Sequence, residues 1–233
     1  MKHILFDLDG TLLPMNQDEF VRHYFSLLTV RFVKIGVDPD LFKKGLFKGL
    51  EAMITNDGNR TNKKAFWDTF FSFVPGDPEL LKEKTIDFYK NEFNEVISST
   101  QPQKIVRKII DTVKEMGFNI YLATNPLFPR IATEQRIHWA GLTPEDFLDI
   151  TTYEDCHYCK PNVEYFREFL EKHNLDPKDC LMVGNDVSED LVISELGVET
   201  YLITNTMENK KNLPITADHT GTLEDFYTFI QNL

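Results

Sequence analysis

The stretch that decides the fold is His3-Ile4-Leu5-Phe6-Asp7-Leu8-Asp9-Gly10-Thr11. Residues 3–8 are a short apolar run of strand length, closed by acidic residues and a glycine. Open α/β sheets bind ligands in the crevice at the carboxyl ends of their strands. On a continuing strand, residues i and i+2 share a face, so Asp7 and Asp9 can address one site. Two carboxylates held together are costly unless a cation or a shared proton compensates. Gly10 permits a tight turn and a close approach of backbone. The same spacing also fits a turn whose acidic side chains cap backbone N–H groups.

Outward from this strand the texture changes twice. Between residues 15 and 98 the segments are long and amphipathic, with turns at Gly36–Pro39, Asn56–Asn59 and Pro75–Pro78. Helices are expected over 16–34, 39–54, 61–73, 78–91 and 92–98. Eleven of the 19 Phe residues fall here, which suggests that the segment builds its own aromatic core. After Pro102, helices over 103–116, 129–140, 161–173, 187–196 and 222–231 alternate with strands over 118–123, 147–151, 180–183 and 199–203. That rhythm specifies a mostly parallel sheet covered on both faces. The expected class is α/β: a Rossmann-like core of residues 1–14 and 99–233, interrupted by an all-helical domain of residues 15–98.

At 233 residues the chain can bury a sizeable core without disulfide staples. Cys156, Cys159 and Cys180 are an odd number and widely spaced, so no disulfide framework is expected. Cys156-His157-Tyr158-Cys159 lacks the second ligand pair of a structural zinc site. The net charge of −12 argues against nucleic acid and anionic membrane as partners, because the long-range field repels both. No signal peptide and no long apolar span is visible, and a reducing cytoplasm is the expected compartment. The charge is uneven. Residues 15–98 carry 12 basic and 13 acidic residues, and the remainder 13 and 24, so the acidity belongs to the sheet domain. Oligomeric state is not readable from these features.

Three further strand ends carry polar groups. Gly184-Asn185-Asp186-Val187-Ser188-Glu189-Asp190 follows the apolar Leu181-Met182-Val183. Two acidic strand ends suggest a divalent metal between them, and oxygen ligands favour Mg²⁺. By itself this cluster also reads as a helix start enriched in acid for the dipole. Ala123-Thr124-Asn125-Pro126 ends a strand with a hydroxyl and an amide that could meet a phosphate oxygen or cap the next helix. Lys160-Pro161 stands at a loop–helix junction, where a lysine is either solvated or functional.

Taken together, these four stretches resemble the motifs of the haloacid dehalogenase-like hydrolase superfamily. They are Asp7-Leu8-Asp9-Gly10-Thr11, Thr124, Lys160, and the run 184–190. The helical insertion resembles that family's C1 cap, close to the phosphoglycolate phosphatase and β-phosphoglucomutase branch. The resemblance implies that Asp7 is a nucleophile accepting the phosphoryl group and that Asp9 is a general acid and base. It implies that Thr124 and Lys160 bind phosphoryl oxygens. It places Mg²⁺ on Asp7, the Asp9 carbonyl and the fourth motif. Dehalogenases of the family lack the second Asp, so Asp9 argues for phosphoryl chemistry. Asn185 stands where the first acid of the fourth motif is usual. Either Asp186 is the ligand with Asp190 supporting it, the favoured assignment, or Asn185 serves as a neutral ligand. Cap residues would choose the substrate. Lys43, Lys44, Lys48, Arg60, Asn62 and Lys63 are the candidates, and Arg60 and Lys63 join Gly10 and Asn125 as the expected substrate contacts. Phe66, Phe70, Phe71 and Phe73 fit core packing better than a ligand box. The implied function is a Mg²⁺-dependent phosphatase of a small phosphorylated metabolite. A sugar phosphomutase and a non-catalytic binding or regulatory module of the same fold are the alternatives.

Overall fold

A computed structural model describes residues 1–233. Its centre is a five-stranded sheet of order β2-β1-β3-β4-β5, comprising β1 (His3–Phe6), β2 (Asn119–Leu122), β3 (Cys180–Gly184), β4 (Glu199–Ile203) and β5 (His219–Gly221). Every pairing is parallel. The chain is thus α/β, as its alternation of apolar runs and amphipathic segments requires. Side chains on β1 alternate between faces. Ile4 and Phe6 pack with α5 (Lys104–Glu115) and α8 (Leu223–Ile230). Leu5 packs on the other face with Tyr165, Phe166 and Phe169 of α7 (Val163–His173).

Register places the site. Phe6 pairs with Leu122 on one side and Val183 on the other. The residues that follow these three therefore leave the sheet side by side. Asp7 N donates to Val183 O at 2.9 Å, and Ala123 N to Phe6 O at 2.8 Å. Three polar strand ends, remote in sequence, converge on one carboxyl edge.

Between β1 and α5 the chain is helical: α1 (Gln17–Lys34), α2 (Pro39–Ile54), α3 (Asn62–Phe73), α4 (Pro78–Lys90) and a 3-10 segment, Glu92–Ser99. Each α-helix starts at a residue suited to the task. Asn16, Asp38, Thr61 and Asp77 accept backbone N–H groups, and Pro39 and Pro78 open the first turns. The aromatic core is not separate, contrary to the sequence expectation. Phe20, Phe32, Phe42, Phe88 and Phe93 belong to one cluster with Ile4 and Phe6. Phe128 and Trp139 carry the contact, at 6.2 Å from the Phe20 ring and 5.1 Å from the Phe93 ring respectively.

Three local expectations change. Residues 147–151 make only one bridge, Leu122 to Ile150, after a 3-10 turn at Pro144–Asp146 that leaves Leu148 exposed. Strand β5 was not anticipated, because His219-Thr220-Gly221 has no apolar run. Residues 187–196 form turns and a 3-10 segment rather than an α-helix, because side chains of the acidic run take backbone N–H groups for themselves. No helix is long and apolar enough to cross a membrane.

Away from the sheet edge, α5 (Lys104–Glu115) is fastened to the turn at 144–146 by one carboxylate. Asp146 is 8% exposed, pairs with Arg107 at 2.6 Å and with Lys114, and accepts Thr143 N at 2.8 Å. Burial pushes its carboxyl up, but the two cations and the N–H overcome this and hold it at about 2, below the ordinary 3.8. A depressed carboxyl stabilises the fold above its unfolded value, and that contribution fades as pH falls toward its folded value. Asp146→Asn is expected to lower unfolding free energy at pH 7 by about 2 kcal/mol. Urea titrations of both proteins should show the gap closing between pH 4 and pH 2, and a gap independent of pH would contradict this.

Candidate active site

The first side chain beyond β1 is Asp7, which is 7% exposed. Lys160, wholly buried, reaches it from the loop before α7, donating to Asp7 Oδ1 at 2.9 Å and to Asp190 Oδ1 at 2.6 Å. Burial pushes the Asp7 and Asp190 carboxyls up, and Lys160 pulls both back. Burial would lower Lys160, but Asp190 and Asp7 hold it well above its ordinary range, so it is charged. The Thr11 hydroxyl lies 3.3 Å from Asp7 Oδ2 and 3.1 Å from Asn185 Oδ1. With a single proton it donates to one of them at a time.

Gly10 makes the turn possible in two ways. Its φ is +89°, and a Cβ there would lie 2.3 Å from Asn185 Nδ2. Gly10 is therefore a packing requirement, with Asn185 pressed against it. Asn185 has both ends of its amide engaged, since Oδ1 meets Thr11 and Nδ2 donates to Thr206 O at 2.7 Å. Asp190 is equally occupied. Its Oδ2 accepts Asn185 N at 3.0 Å and Asp186 N at 2.9 Å, while Oδ1 holds Lys160. Asp186 differs. Its Oδ1 accepts from Ser188 and Glu189 backbone and from the Ser188 hydroxyl, but Oδ2 has no partner.

Asp9 is tied from an unexpected quarter. Arg136, of α6 (Arg130–Trp139), has no exposed side-chain surface and pairs with Asp9 Oδ2. Its guanidinium carbon stands 4.1 Å from the centre of the Phe128 ring, and its other nitrogens reach Ala132 O and the Thr133 hydroxyl. Asp9 Oδ1 is buried with no partner, and the Asp9 carbonyl accepts from Gln17 at 3.1 Å.

Thr124 ends β2. Its carbonyl takes the hydroxyls of Thr151 and Tyr165 at 2.6 and 3.0 Å, leaving its own hydroxyl unpaired at the cleft. The Asn125 amide donates to Glu189 Oε2 at 2.9 Å and Lys160 O at 3.3 Å. Burial pushes the Glu189 carboxyl up to about 7.

One cleft of about 550 Å³ is lined by Asp7, Asp9, Thr124, Asn125, Asn185, Asp186, Glu189 and Asp190, with Lys160 behind Asp7. Arg60 and Lys63 do not line it. Arg60 pairs with Asp68 at the surface, 3.0 Å away, and Lys63 is exposed. Asn62 is fully buried and holds α3 to the sheet domain, donating to Tyr158 O at 3.1 Å. The cations at the cleft mouth are instead Arg22, Lys210 and Lys211. Sequence reasoning missed Glu189 and Arg136. Glu189 sits inside the quoted acidic run, whereas Arg136 lies on an amphipathic helix and carries no motif signal.

The donor set suits a hard divalent cation. It is all oxygen, comprising the Asp7 carboxylate, the Asp9 carbonyl and the free Asp186 Oδ2, in a cleft lined by seven carboxyl groups and faced by the buried Lys160 and Arg136 and by Arg22, Lys210 and Lys211. Carboxyl groups gathered in such excess are stable only with further positive charge or retained protons.

A family model described as haloacid dehalogenase-like hydrolase matches residues 1–192. The chain belongs to this family. It is thus a hydrolase of the haloacid dehalogenase-like type. It is similar over its whole length to the glyceraldehyde 3-phosphate phosphatase of Methanocaldococcus jannaschii, at 26% identity, covering 98% of that protein. Among solved structures it is similar in fold to a haloacid dehalogenase-like phosphatase from Thermococcus onnurineus. There the TM-score is 0.60 and the identity 18%, covering 99% and 98% of the two chains. A putative β-phosphoglucomutase from Thermotoga maritima gives a TM-score of 0.61 at 17% identity, covering both chains fully.

Removing Lys160 leaves Asp7 and Asp190 buried without their counter-charge. Lys160→Met is expected to cost about 3–5 kcal/mol in folding free energy. Thermal and urea unfolding would read this directly, and a variant as stable as the parent would contradict the charge balance described.

Proposed function

We propose that the protein is a Mg²⁺-dependent phosphatase that hydrolyses small phosphomonoesters by way of a phosphoryl group carried on Asp7. The observation that carries this reading is one cleft holding a Lys160-paired Asp7, an Asp9 two residues on and a free Thr124 hydroxyl. The name of the Methanocaldococcus jannaschii relative supports the same reaction class. In this reading residues 15–98 are a cap over a catalytic core formed by residues 1–14 and 99–233.

The steps follow from the groups present. An Asp7 carboxylate oxygen attacks phosphorus, and the bond from phosphorus to the ester oxygen breaks. Asp9 gives its proton to the departing oxygen. Water then attacks the phosphorus on Asp7, Asp9 takes its proton, and inorganic phosphate leaves. The Thr124 hydroxyl holds a phosphoryl oxygen, and Lys160 supplies positive charge from behind Asp7 and favours its ionised form. Asp7, the Asp9 carbonyl and Asp186 would hold Mg²⁺, which supplies positive charge against the oxygens of the transferring group. Asp186 is preferred over Asn185 as ligand, because Asn185 spends its amide on Thr11 and Thr206. Asp190 supports both, by holding their backbone N–H groups and Lys160.

Arg136 is a positioning residue in this scheme. By holding Asp9 Oδ2 it leaves Oδ1 as the oxygen free to exchange a proton.

Phosphate release from p-nitrophenyl phosphate should require Mg²⁺, stop with EDTA and be absent in Asp7→Asn. Asp186→Asn should raise the Mg²⁺ concentration for half-maximal rate by about tenfold or more, and Asn185→Ala by less. Equal release by parent and Asp7→Asn would end the reading. Arg136→Lys keeps the charge but loses the planar fork and the stack on Phe128. It should slow alkyl phosphates, whose leaving oxygen needs a proton, by roughly a hundredfold. It should slow 2,4-dinitrophenyl phosphate far less. Equal slowing of both would show a structural role only.

A further inference from the structure

Next to the acidic cleft lies a second cavity, of about 280 Å³, walled by the helical segment and by Leu127, Phe128, Pro129 and Tyr153 of the sheet domain. Its wall is of opposite character. Aliphatic and aromatic side chains of α1, α2 and α3 form most of it, Trp67 and Phe70 among them. Val21, Leu127 and Phe128 line both spaces, so the two abut. The few polar groups in the wall are already engaged. The Tyr24 and Tyr89 hydroxyls bond each other at 2.6 Å, Trp67 Nε1 donates to Tyr153, and the Thr85 hydroxyl donates to Leu81 O. No lysine, arginine or carboxylate lines it. The cations expected to read a polar substrate, Arg60 and Lys63, are not in its wall.

We propose that this cavity receives the organic part of the substrate, and that the substrate is the phosphomonoester of an apolar alcohol, aryl or medium-chain alkyl. The proposal rests on the reading of the acidic cleft as the phosphoryl-transfer site. Its chemistry follows from the wall. A polyol such as a sugar would bring several hydroxyls against a surface with almost nothing to receive them, which is costly. An apolar group gains by leaving water. The size follows from the volume. A dry cavity of about 150 Å³ holds one benzene. By that measure 280 Å³ accommodates roughly ten or eleven carbon atoms. Phe128 has one further consequence. The ring that borders the apolar space is also the ring on which Arg136 stacks while it holds Asp9. An organic group seated there touches the support of the proton donor.

The test is a substrate series on the full chain with Mg²⁺, measuring phosphate release from ethyl through octyl phosphate, 1-naphthyl phosphate and glucose 6-phosphate. The expected kcat/KM rises about threefold to fourfold per methylene. Glucose 6-phosphate should fall below hexyl phosphate by about tenfold or more. Leu46→Phe and Leu50→Phe, which narrow the cavity, should each make the rise level off at a shorter chain. An enzyme that releases phosphate with no dependence on chain length, or that prefers glucose 6-phosphate to octyl phosphate, overturns the proposal and leaves the phosphatase reading standing. Calorimetry on Asp7→Asn separates the two readings if no ester is turned over. Octyl phosphate binding about tenfold or more tighter than inorganic phosphate supports the apolar cavity, and equal affinities overturn it.

Discussion

The Lys160 ammonium, buried between Asp7 and Asp190, is the interaction on which the rest of this structure depends. Three charges out of water are tolerable only when each is paired and its remaining bonding capacity is filled. The fold meets that demand at both ends. Asp190 spends its second oxygen on the backbone of Asn185 and Asp186, which shapes the acidic run after β3. Asp7 keeps its second oxygen for the cleft, contacted only by Thr11. The same arrangement that makes the charges stable therefore leaves one Asp7 oxygen available at the cleft. Parallel register delivers the partners, because β1 lies between β2 and β3 and all three end together.

The helical segment adds a second constraint. Its aromatic residues merge with the sheet core through Phe128, Trp139 and Phe93 rather than forming a separate body. Arg136 stands at that junction, wholly buried, with its guanidinium over Phe128 and one nitrogen on Asp9. Its charge is satisfied by Asp9, on the wall of the cleft. A polar cleft and an apolar cavity thus share a wall, and a small shift of Phe128 would be felt on both sides of it.

Much of this was legible in the sequence, for identifiable reasons. Apolar runs ending in Asp7, Thr124 and Asn185 marked parallel strands, because chemistry in such sheets sits at the carboxyl edge. The helices of residues 17–90 showed as long amphipathic segments between turns rich in Gly, Pro and Asn, and in the structure Asn16, Asp38, Thr61 and Asp77 cap them. What was not legible depended on contacts between distant segments. Strand β5 is three residues with no apolar pattern, held by its neighbour β4. Arg136 reads as a solvated helix residue, and only the tertiary fold buries it. Arg60 and Lys63 read as substrate contacts because they are cationic, yet the fold puts them outside the cleft. Phe66 and Phe70 read as core at helical spacing, and periodicity does not distinguish a filled core from one that encloses a cavity. Spacing alone does not separate Asn185 from Asp186, and hydrogen bonding distinguishes them: the Asn185 amide meets Thr11 and Thr206, whereas the second Asp186 oxygen has no partner.

The central claim is that Asp7 itself becomes phosphorylated. Enzyme stopped in acid during turnover with Mg²⁺ and an ester, then digested and weighed by mass spectrometry, tests this most directly. The account predicts the mass of one phosphoryl group on the peptide containing Asp7, absent without Mg²⁺ and absent in Asp7→Asn. A phosphoryl group on any other residue, or steady phosphate release with the Asp7 peptide never modified, would contradict it.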